Sequence, residues 1–326
     1  MNDTLNISQI QDKINQIQTE VGKIVVGQRY LVDRLLIGLF TGGHILLEGV
    51  PGLAKTLTVN TLAQAVDLQF KRIQFTPDLL PSDLIGTLIF NPKEGEFQVK
   101  KGPVFANIIL ADEINRTPAK VQSALLEAMQ EKQVTIGDNT FKLEKPFLVL
   151  ATQNPVEQEG TYPLPEAQID RFMLKINLGY LNKDEELEVM RRMSAIDKPT
   201  EVSTILSKTD ILQISNQINT IQISESLEKY IIELAFATRY PKDYGLKDES
   251  QYIQFGVSPR ATISLNRAAK TLALMNGRDY VLPDDIKQIA SDVLAHRIIL
   301  NYEAEADNIN SRQIVDAILK KVAINK

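Results

Sequence analysis

Two patterns of apolar and polar residues divide the chain into two parts. In the first part, short apolar runs alternate with segments that have the spacing of amphipathic helices. These runs occupy residues 45–47, 70–75, 108–111, 147–151 and 173–178. Short buried runs separated by helical segments are typical of a parallel sheet with crossover helices. We therefore predict an α/β region, followed by a second part in which helical spacing predominates.

Local signals indicate where several helices begin and end. Apolar residues recur at helical spacing over residues 8–22 and 31–39, and Gly42-Gly43 ends the second helix. A crossover helix is predicted to begin at Thr117-Pro118, with Thr117 as the cap and Pro118 as the first helical residue. Two later helices are predicted to begin at Ser258-Pro259 and at Leu282-Pro283.

Two β-hairpins interrupt the alternation, over residues 87–101 and 134–143, because each contains two strand-like runs around turn residues. After residue 178 the strand pattern fades, and residues 195–203 have the composition of a linker. A chain of 326 residues is long enough for two domains. We predict an α/β core over residues 1–200 and an all-helical domain over residues 201–326.

Composition restricts the chemistry that this chain can perform. It contains no Cys and only two His, His44 and His296, which we expect to be structural. The absence of Cys excludes disulfides, thiol nucleophiles and Cys-ligated metal centres. The net charge of −5 disfavours a constitutively basic nucleic-acid surface. With neither a signal-peptide pattern nor an apolar run that could span a bilayer, we expect a cytoplasmic protein without membrane insertion.

The strongest chemical signal follows the first apolar run. A strand, a glycine-containing loop, Lys-Thr and a helix form the setting of a phosphate-binding loop, which is favoured over a plain strand–turn–helix corner. Lys55 would reach the β- and γ-phosphates, and the Thr56 hydroxyl would bind Mg²⁺. Ala54 replaces the usual second glycine, and its methyl group is acceptable at an ordinary negative φ. The predicted ATP-binding residues here are Gly49, Val50, Pro51, Gly52, Leu53, Ala54, Lys55, Thr56 and Leu57.

Two acidic residues end the apolar run at 108–111. Carboxylates are rarely buried without partners, so a pair at the end of a buried strand indicates a function. Asp112 fits the carboxylate on the Mg²⁺ side, and Glu113 fits the base that orients the attacking water. Such a pair is weak evidence alone, but it becomes strong when it follows a phosphate loop.

Polar and cationic residues further along the chain complete the set of candidates. Asn154 follows the run at 147–151 and could contact the lytic water or the γ-phosphate, although, taken alone, ordinary turn chemistry before Pro155 explains it better. Phosphoryl transfer also needs cations against the developing negative charge. Arg171 and Arg260 are the main candidates and Arg116 is a third, with surface ion pairs as the alternative role.

Together these motifs resemble the AAA+ ATPases, and within them the MoxR family. The matching strings, in family order, are GVPGLAKT at 49–56, LADEINRTP at 110–118, ATQNP at 151–155, PLPEAQIDRF at 163–172 and SPRA at 258–261. The resemblance implies an α/β nucleotide-binding domain with a parallel sheet and β-hairpin inserts, followed by a small helical lid. It implies ATP and Mg²⁺ as cofactors.

The resemblance also implies roles for individual residues. Gly27 and Gln28 match the family region near the adenine, and Asn154 matches sensor 1. Arg260 matches sensor 2, and Arg171 matches the arginine finger, which acts on the ATP of a neighbouring subunit. Activity would therefore require a homo-oligomeric ring, typically a hexamer.

The family further implies chaperone-like remodelling or maturation of a protein client, together with a partner that contains a von Willebrand A domain. Three alternatives stay open: a DNA-acting AAA+ motor, a subunit resembling that of magnesium chelatase, and a nucleotide-controlled scaffold with little turnover. The negative charge and the lack of an aromatic-rich basic groove disfavour nucleic acid as the partner.

Overall fold

The computed structural model describes residues 5–49, 52–153, 160–194 and 201–324, which fall into two compact units. The first, here called the sheet unit, comprises Lys13–Leu164 and Ile176–Leu212. The second, the helical unit, comprises Met1–Asp12, Pro165–Lys175 and Gln213–Lys326. The short segment Pro165–Lys175 therefore groups with the C-terminal helices, and the predicted domain boundary at residue 200 stays a prediction.

A five-stranded parallel sheet forms the centre of the α/β region, in the order β2-β5-β8-β1-β9. Its strands are β1 (Ile45–Gly49), β2 (Phe70–Gln74), β5 (Ile108–Asp112), β8 (Leu148–Gln153) and β9 (Leu174–Leu178). Each strand overlaps one of the predicted apolar runs. Strands β5 and β8 are almost completely buried, as expected for a parallel sheet that is covered on both faces.

The two predicted hairpins and the helices predicted over residues 8–22 and 31–39 are confirmed. The hairpins are β3 (Gly86–Asn91) with β4 (Glu96–Lys101) and β6 (Gln133–Ile136) with β7 (Asn139–Lys142). The helices of this first part of the chain are α1 (Ile7–Ile24), α2 (Arg29–Thr41), α3 (Lys55–Ala65), α4 (Pro81–Ile85), α5 (Ala119–Glu131), α6 (Glu166–Ile169) and α7 (Lys183–Ser194). Gly42 ends α2 with a φ of 64°, a conformation that glycine adopts readily.

The predicted start of α5 is wrong by one residue. Pro118, rather than Thr117, occupies the cap position, and the helix begins at Ala119. The Thr117 hydroxyl donates a hydrogen bond to the carbonyl oxygen of Ile114, 3.2 Å away, instead of accepting one from the first helical turn.

The later part of the chain is mainly helical. Its helices are α8 (Lys208–Gln217), α9 (Glu225–Arg239), α10 (Pro259–Met275), α11 (Pro283–Leu294), α12 (Tyr302–Ala306) and α13 (Ser311–Lys321). The expectation of an all-helical region needs one correction, because β10 (Ile253–Phe255) and β11 (Ile299–Leu300) form a small antiparallel sheet. Strands this short leave no measurable alternation in the sequence. Among the described residues, none of the helices combines the length and the hydropathy that a membrane span requires.

Candidate active site

The phosphate loop and the acidic pair lie around one cavity of about 450 Å³ in the sheet unit. Parallel strands end at the same edge of a sheet, so the residues at the carboxyl ends of β1, β5 and β8 and those that follow them meet there. The cavity is lined by Gly49, Gly52, Leu53, Ala54, Lys55, Thr56, Leu57, Arg72, Asp112, Glu113, Thr152 and Gln153. The structure thus brings together residues that the sequence analysis assigned separately to phosphate binding, metal binding and catalysis.

Lys55 stands at the first turn of α3, where helix amides and a side-chain ammonium can both face a phosphate group. Its Nζ donates a hydrogen bond to the carbonyl oxygen of Gly49, 2.7 Å away. Burial lowers the pKa of Lys55 below its ordinary value, and the carboxylates of Asp112 and Glu113 oppose that shift. The ammonium is therefore held within the loop and beside the negative charges of the acidic pair.

The backbone at Ala54 departs from expectation. Its φ is 53°, in the left-handed region, whereas the sequence analysis assumed an ordinary negative φ. Glycine adopts this conformation without strain, but a residue with a Cβ is disfavoured there by about 1 kcal/mol. Position 54 therefore has the backbone conformation that glycine adopts readily, and the alanine there tolerates the strain of its methyl group.

Hydrogen bonds fix the carboxylate of Asp112 on both of its oxygens. The buried Thr152 hydroxyl donates to Oδ1 at 2.6 Å, and the same hydroxyl accepts from the backbone N–H of Glu113 at 2.8 Å. On the other side, Arg72 donates to Oδ2 from Nε at 3.0 Å and from Nη2 at 2.6 Å. Asp112 is thus oriented by a neighbouring strand on each side of β5.

Glu113 is held by three constraints. Its φ of 58° places a non-glycine residue in the left-handed region, and such strain is concentrated at functional sites. Its Oε2 accepts a hydrogen bond from Gln74 Nε2 at 2.8 Å and lies 3.1 Å from Arg116 Nε. Arg116, the third cationic candidate, is therefore an ion-pair partner of the acid that we assign as the base.

Four residues of this site were missed by the sequence analysis: Arg72, Gln74, Thr152 and Gln153. The register of β2 against β5 places Gln74 opposite Asp112, and β8 lies on the other side of β5. A signal existed for Gln74, Thr152 and Gln153, because these polar side chains stand near the carboxyl end of a predicted strand, whereas Arg72 lies in the middle of β2. The order of the strands in the sheet has no local signal in the sequence. The contacts of β2 and β8 with the acidic pair on β5 could therefore not be predicted.

The residues present fit a bound Mg²⁺. This ion prefers oxygen ligands and usually takes only one or two from protein side chains, the others being phosphate oxygens and water. The Thr56 hydroxyl and the Asp112 carboxylate supply such oxygens in the lining of the same cavity. The oriented carboxylate of Asp112 is suited to the role that the sequence analysis gave it.

Other predicted residues lie elsewhere. Gly27 and Gln28 line a second cavity of the sheet unit, about 480 Å³ in volume, whose described lining does not overlap with that of the first. Gln28 is only 6% exposed. Val50, Pro51 and Asn154 lie outside the described residues. Their predicted roles stay predictions.

Arg171 and Arg260 both belong to the helical unit. Ser258 caps α10, since its hydroxyl accepts a hydrogen bond from the N–H of Arg260 at 3.2 Å, as the sequence predicts. Arg260 Nη1 lies 3.5 Å from Oδ2 of Asp170, the residue that precedes Arg171. The structure therefore places the second candidate arginine beside the segment that carries the first.

Both histidines have structural roles, as expected. His44 Nδ1 accepts from the N–H of Val149 at 3.0 Å, and its Nε2 donates to the carbonyl oxygen of Met129 at 3.1 Å. Burial lowers the pKa of His44 to about 4. Burial, followed by the charge of Arg297, also holds the pKa of His296 well below its ordinary value. Both imidazoles are neutral at pH 7.

Comparison with known proteins agrees with this geometry. Residues 44–174 match the ATPase family associated with various cellular activities, and residues 246–318 match the AAA lid domain. The chain is 51% identical over 305 residues to the chaperone MoxR1 of Mycobacterium tuberculosis, an alignment that covers 94% of this chain and 80% of that protein. The chain belongs to the MoxR family of AAA+ ATPases.

Two further similarities extend over almost the whole chain. The protein MoxR of Methylorubrum extorquens is 30% identical over 326 residues, covering 95% of this chain and 94% of that protein. A crystal structure from Cytophaga hutchinsonii, described as that of a candidate ATPase, matches with a TM-score of 0.94 and 68% identity, covering 98% and 97% of the two chains. This MoxR-family chain is an ATPase with a P-loop α/β fold and a helical lid, as the sequence predicts.

Proposed function

We propose that this MoxR-family ATPase hydrolyses ATP with Mg²⁺ in a homo-oligomeric, hexameric ring in the cytoplasm. The cycle remodels or matures a protein client together with a partner that contains a von Willebrand A domain. One observation carries the catalytic part of the proposal: Lys55, Thr56, Asp112 and Glu113 line a single cavity. This is the set of groups that phosphoryl transfer to water requires.

Each residue has a definite role in this reaction. The loop amides and Lys55 bind the phosphates, and Thr56 and Asp112 hold the metal ion. When bound, Mg²⁺ supplies positive charge against the phosphate oxygens. Glu113 orients the attacking water and accepts its proton as the bond to the γ-phosphorus forms and the bond to the leaving oxygen of ADP breaks. Asn154 contacts the water or the γ-phosphate as sensor 1.

We infer a ring because Arg171, as the arginine finger, would act on the ATP of a neighbouring subunit. A guanidinium from the neighbouring subunit stabilises the charge that develops in the transition state, and such a finger contributes roughly 10³–10⁵-fold to turnover. Arg260 supplies a second cation as sensor 2. Specific activity should therefore rise with protein concentration up to the point at which the rings are fully assembled.

Three features support a protein client. MoxR1, a relative with 51% identity, is named a chaperone. The β3–β4 hairpin exposes apolar side chains, including Phe90 at 50% and Phe97 at 67%, whose ring centroids lie 5.4 Å apart. Exposed aromatic pairs are suited to contacts with polypeptide. The net charge of −5 favours a protein over nucleic acid.

A substrate trap tests this proposal. Glu113→Gln should bind ATP without hydrolysing it and should therefore retain the client and the partner in pull-downs with ATP. Lys55→Ala, which loses a phosphate contact in the same cavity, is the matched control and should retain neither. Tight ATP binding with negligible turnover by assembled wild-type rings would favour the scaffold instead. DNA-stimulated turnover with a steep salt dependence would favour a nucleic-acid motor.

A further inference from the structure

Arg297 is a buried arginine in the helical unit, and the proposed catalytic roles do not use it. Its side chain is 2% exposed. A buried guanidinium needs partners for its N–H groups, and here the partners come mainly from one short segment. Nε donates to Oδ1 of Asp170 at 2.8 Å, and Nη2 donates to the carbonyl oxygen of Phe172 at 2.6 Å.

The remaining contacts of Arg297 extend this pattern. Nη2 also lies 3.3 Å from the carbonyl oxygen of Asp170, and Nη1 lies 3.3 Å from that of Met173. Nη1 makes one further bond, to the carbonyl oxygen of Val293 in α11. Arg297 therefore binds the backbone on both sides of Arg171 from a position 127 residues away from Asp170.

Two further residues, His296 and Ser258, add to the contacts that Arg297 makes with residues 170–173. His296 lies next to Arg297, and its Nε2 donates to the same Phe172 carbonyl oxygen at 3.0 Å. Because His296 is neutral, it adds a hydrogen bond without adding a charge. Ser258 at the start of α10 donates to Oδ2 of Asp170 at 3.0 Å. The backbone around Arg171 is thus tied to α10 and to the turn after α11.

We propose that Arg297 is the positioning residue for Arg171. It fixes the backbone from Asp170 to Met173, and this determines where the finger guanidinium is presented. The inference rests on the proposed function, in which Arg171 acts on the ATP of a neighbouring subunit. The planar fork of arginine explains why this residue type is needed, since lysine cannot bind several fixed acceptors in one plane.

The carboxylate of Asp170 also links Arg297 to a second arginine. Asp170 lies against Arg297 and also 3.5 Å from Arg260 Nη1. Arg260 and Arg297 therefore both contribute to the electrostatic environment of the residue that precedes Arg171.

The test uses Arg297→Lys, which keeps the charge but loses the fork. Misplacement of a catalytic group by about 1 Å costs on the order of 10²-fold in rate, so we expect a kcat loss of about that size with ATP binding unchanged. Arg278→Lys is the matched control. It makes the same replacement in another ion pair of the helical unit, with the buried Asp285, and should keep wild-type turnover per assembled ring.

Mixed rings separate a positioning role from a structural one. A Lys55→Ala subunit binds no ATP but offers an intact finger, so mixing it with Arg297→Lys should restore turnover at the Arg297→Lys sites. A mixture of Arg171→Ala with Lys55→Ala is the reference and should recover in the same way. Asp170→Asn provides a second variant with the same expected recovery, in case Arg297→Lys does not assemble.

Two results would overturn the inference. One is wild-type turnover by assembled Arg297→Lys rings. The other is the absence of recovery with Lys55→Ala under conditions in which the Arg171→Ala mixture recovers, because Arg297 would then act within its own subunit. If turnover does not recover in the mixture of Arg171→Ala with Lys55→Ala, Arg171 does not act on the ATP of a neighbouring subunit. That result would overturn this part of the proposed function, and with it this inference.

Discussion

Two aspartate–arginine pairs of similar geometry differ in the burial of their arginines, while their aspartate side chains are similarly exposed, at 17% for Asp112 and 20% for Asp170. In the sheet unit, Arg72 Nη2 lies 2.6 Å from Asp112 Oδ2, and the Arg72 side chain is 48% exposed. In the helical unit, Arg297 Nε lies 2.8 Å from Asp170 Oδ1, and the Arg297 side chain is 2% exposed. The distances alone would rank the two pairs as equals.

Their surroundings give them different roles. An exposed ion pair contributes about 0–1 kcal/mol, so Asp112 can exchange Arg72 for another cation at small cost. Breaking a buried pair leaves a charge without its counterion in a medium of low dielectric and costs about 3–5 kcal/mol. The exposed arginine therefore suits the metal and nucleotide site that we propose at Asp112. The buried pair suits a fixed support.

The largest predicted effect is a difference in stability between variants that break one or the other of these two ion pairs. Asp170→Asn should lower the free energy of unfolding by about 3 kcal/mol, because Arg297 stays buried without a counterion. Asp112→Asn keeps an acceptor for Thr152 and should change stability by less than about 1 kcal/mol. Chemical denaturation of both variants measures this difference. Equal losses would show that burial does not distinguish the pairs.

Acid should also destabilise the protein through its buried imidazoles. The pKa of His44 is lowered from 6.5 to about 4 in the folded protein, so the unfolded chain binds more protons between these values. Stability should therefore be complete above pH 6.5 and fall as the pH decreases toward 4, by roughly 3 kcal/mol for this residue. Thermal or chemical unfolding at several pH values measures the slope. In His44→Gln, which cannot titrate, the slope should be shallower, and an unchanged slope would contradict the assignment.

A smaller effect is expected from the strained phosphate loop. Ala54→Gly should stabilise the protein by about 1 kcal/mol, because glycine accepts a φ of 53° without strain. The opposite substitution nearby, Gly52→Ala, is the control. Gly52 has a φ of 88° and open space where a Cβ would stand, so backbone strain alone should destabilise this variant. A loss of stability in Ala54→Gly would contradict the left-handed backbone at that position.

The sequence predicts best what depends on neighbouring residues in the chain. The strands of the parallel sheet are continuous apolar runs because both faces are buried, and the start of α10 follows from the cap Ser258 and the first-turn Pro259. The phosphate loop and the acidic pair are recognisable because each has a fixed local order. The β10–β11 sheet was missed because its strands are too short to show a period.

What the sequence did not predict depends on long-range contacts. Arg72 and Gln74 contact the acidic pair only because β2 pairs with β5, and strand order has no local signal. Arg297 reaches Asp170 across 127 residues. The left-handed φ of Ala54 follows from the shape of the loop rather than from the preference of alanine.

The most direct test of the central claim is steady-state ATP turnover by assembled wild-type and Glu113→Gln rings with Mg²⁺, with ATP binding measured on both. Loss of a positioned general base costs roughly 10²–10⁴-fold. We expect Glu113→Gln to bind ATP like the wild type but to turn it over at least about 100-fold more slowly. A full rate in Glu113→Gln, or no turnover by assembled wild-type rings, would contradict it.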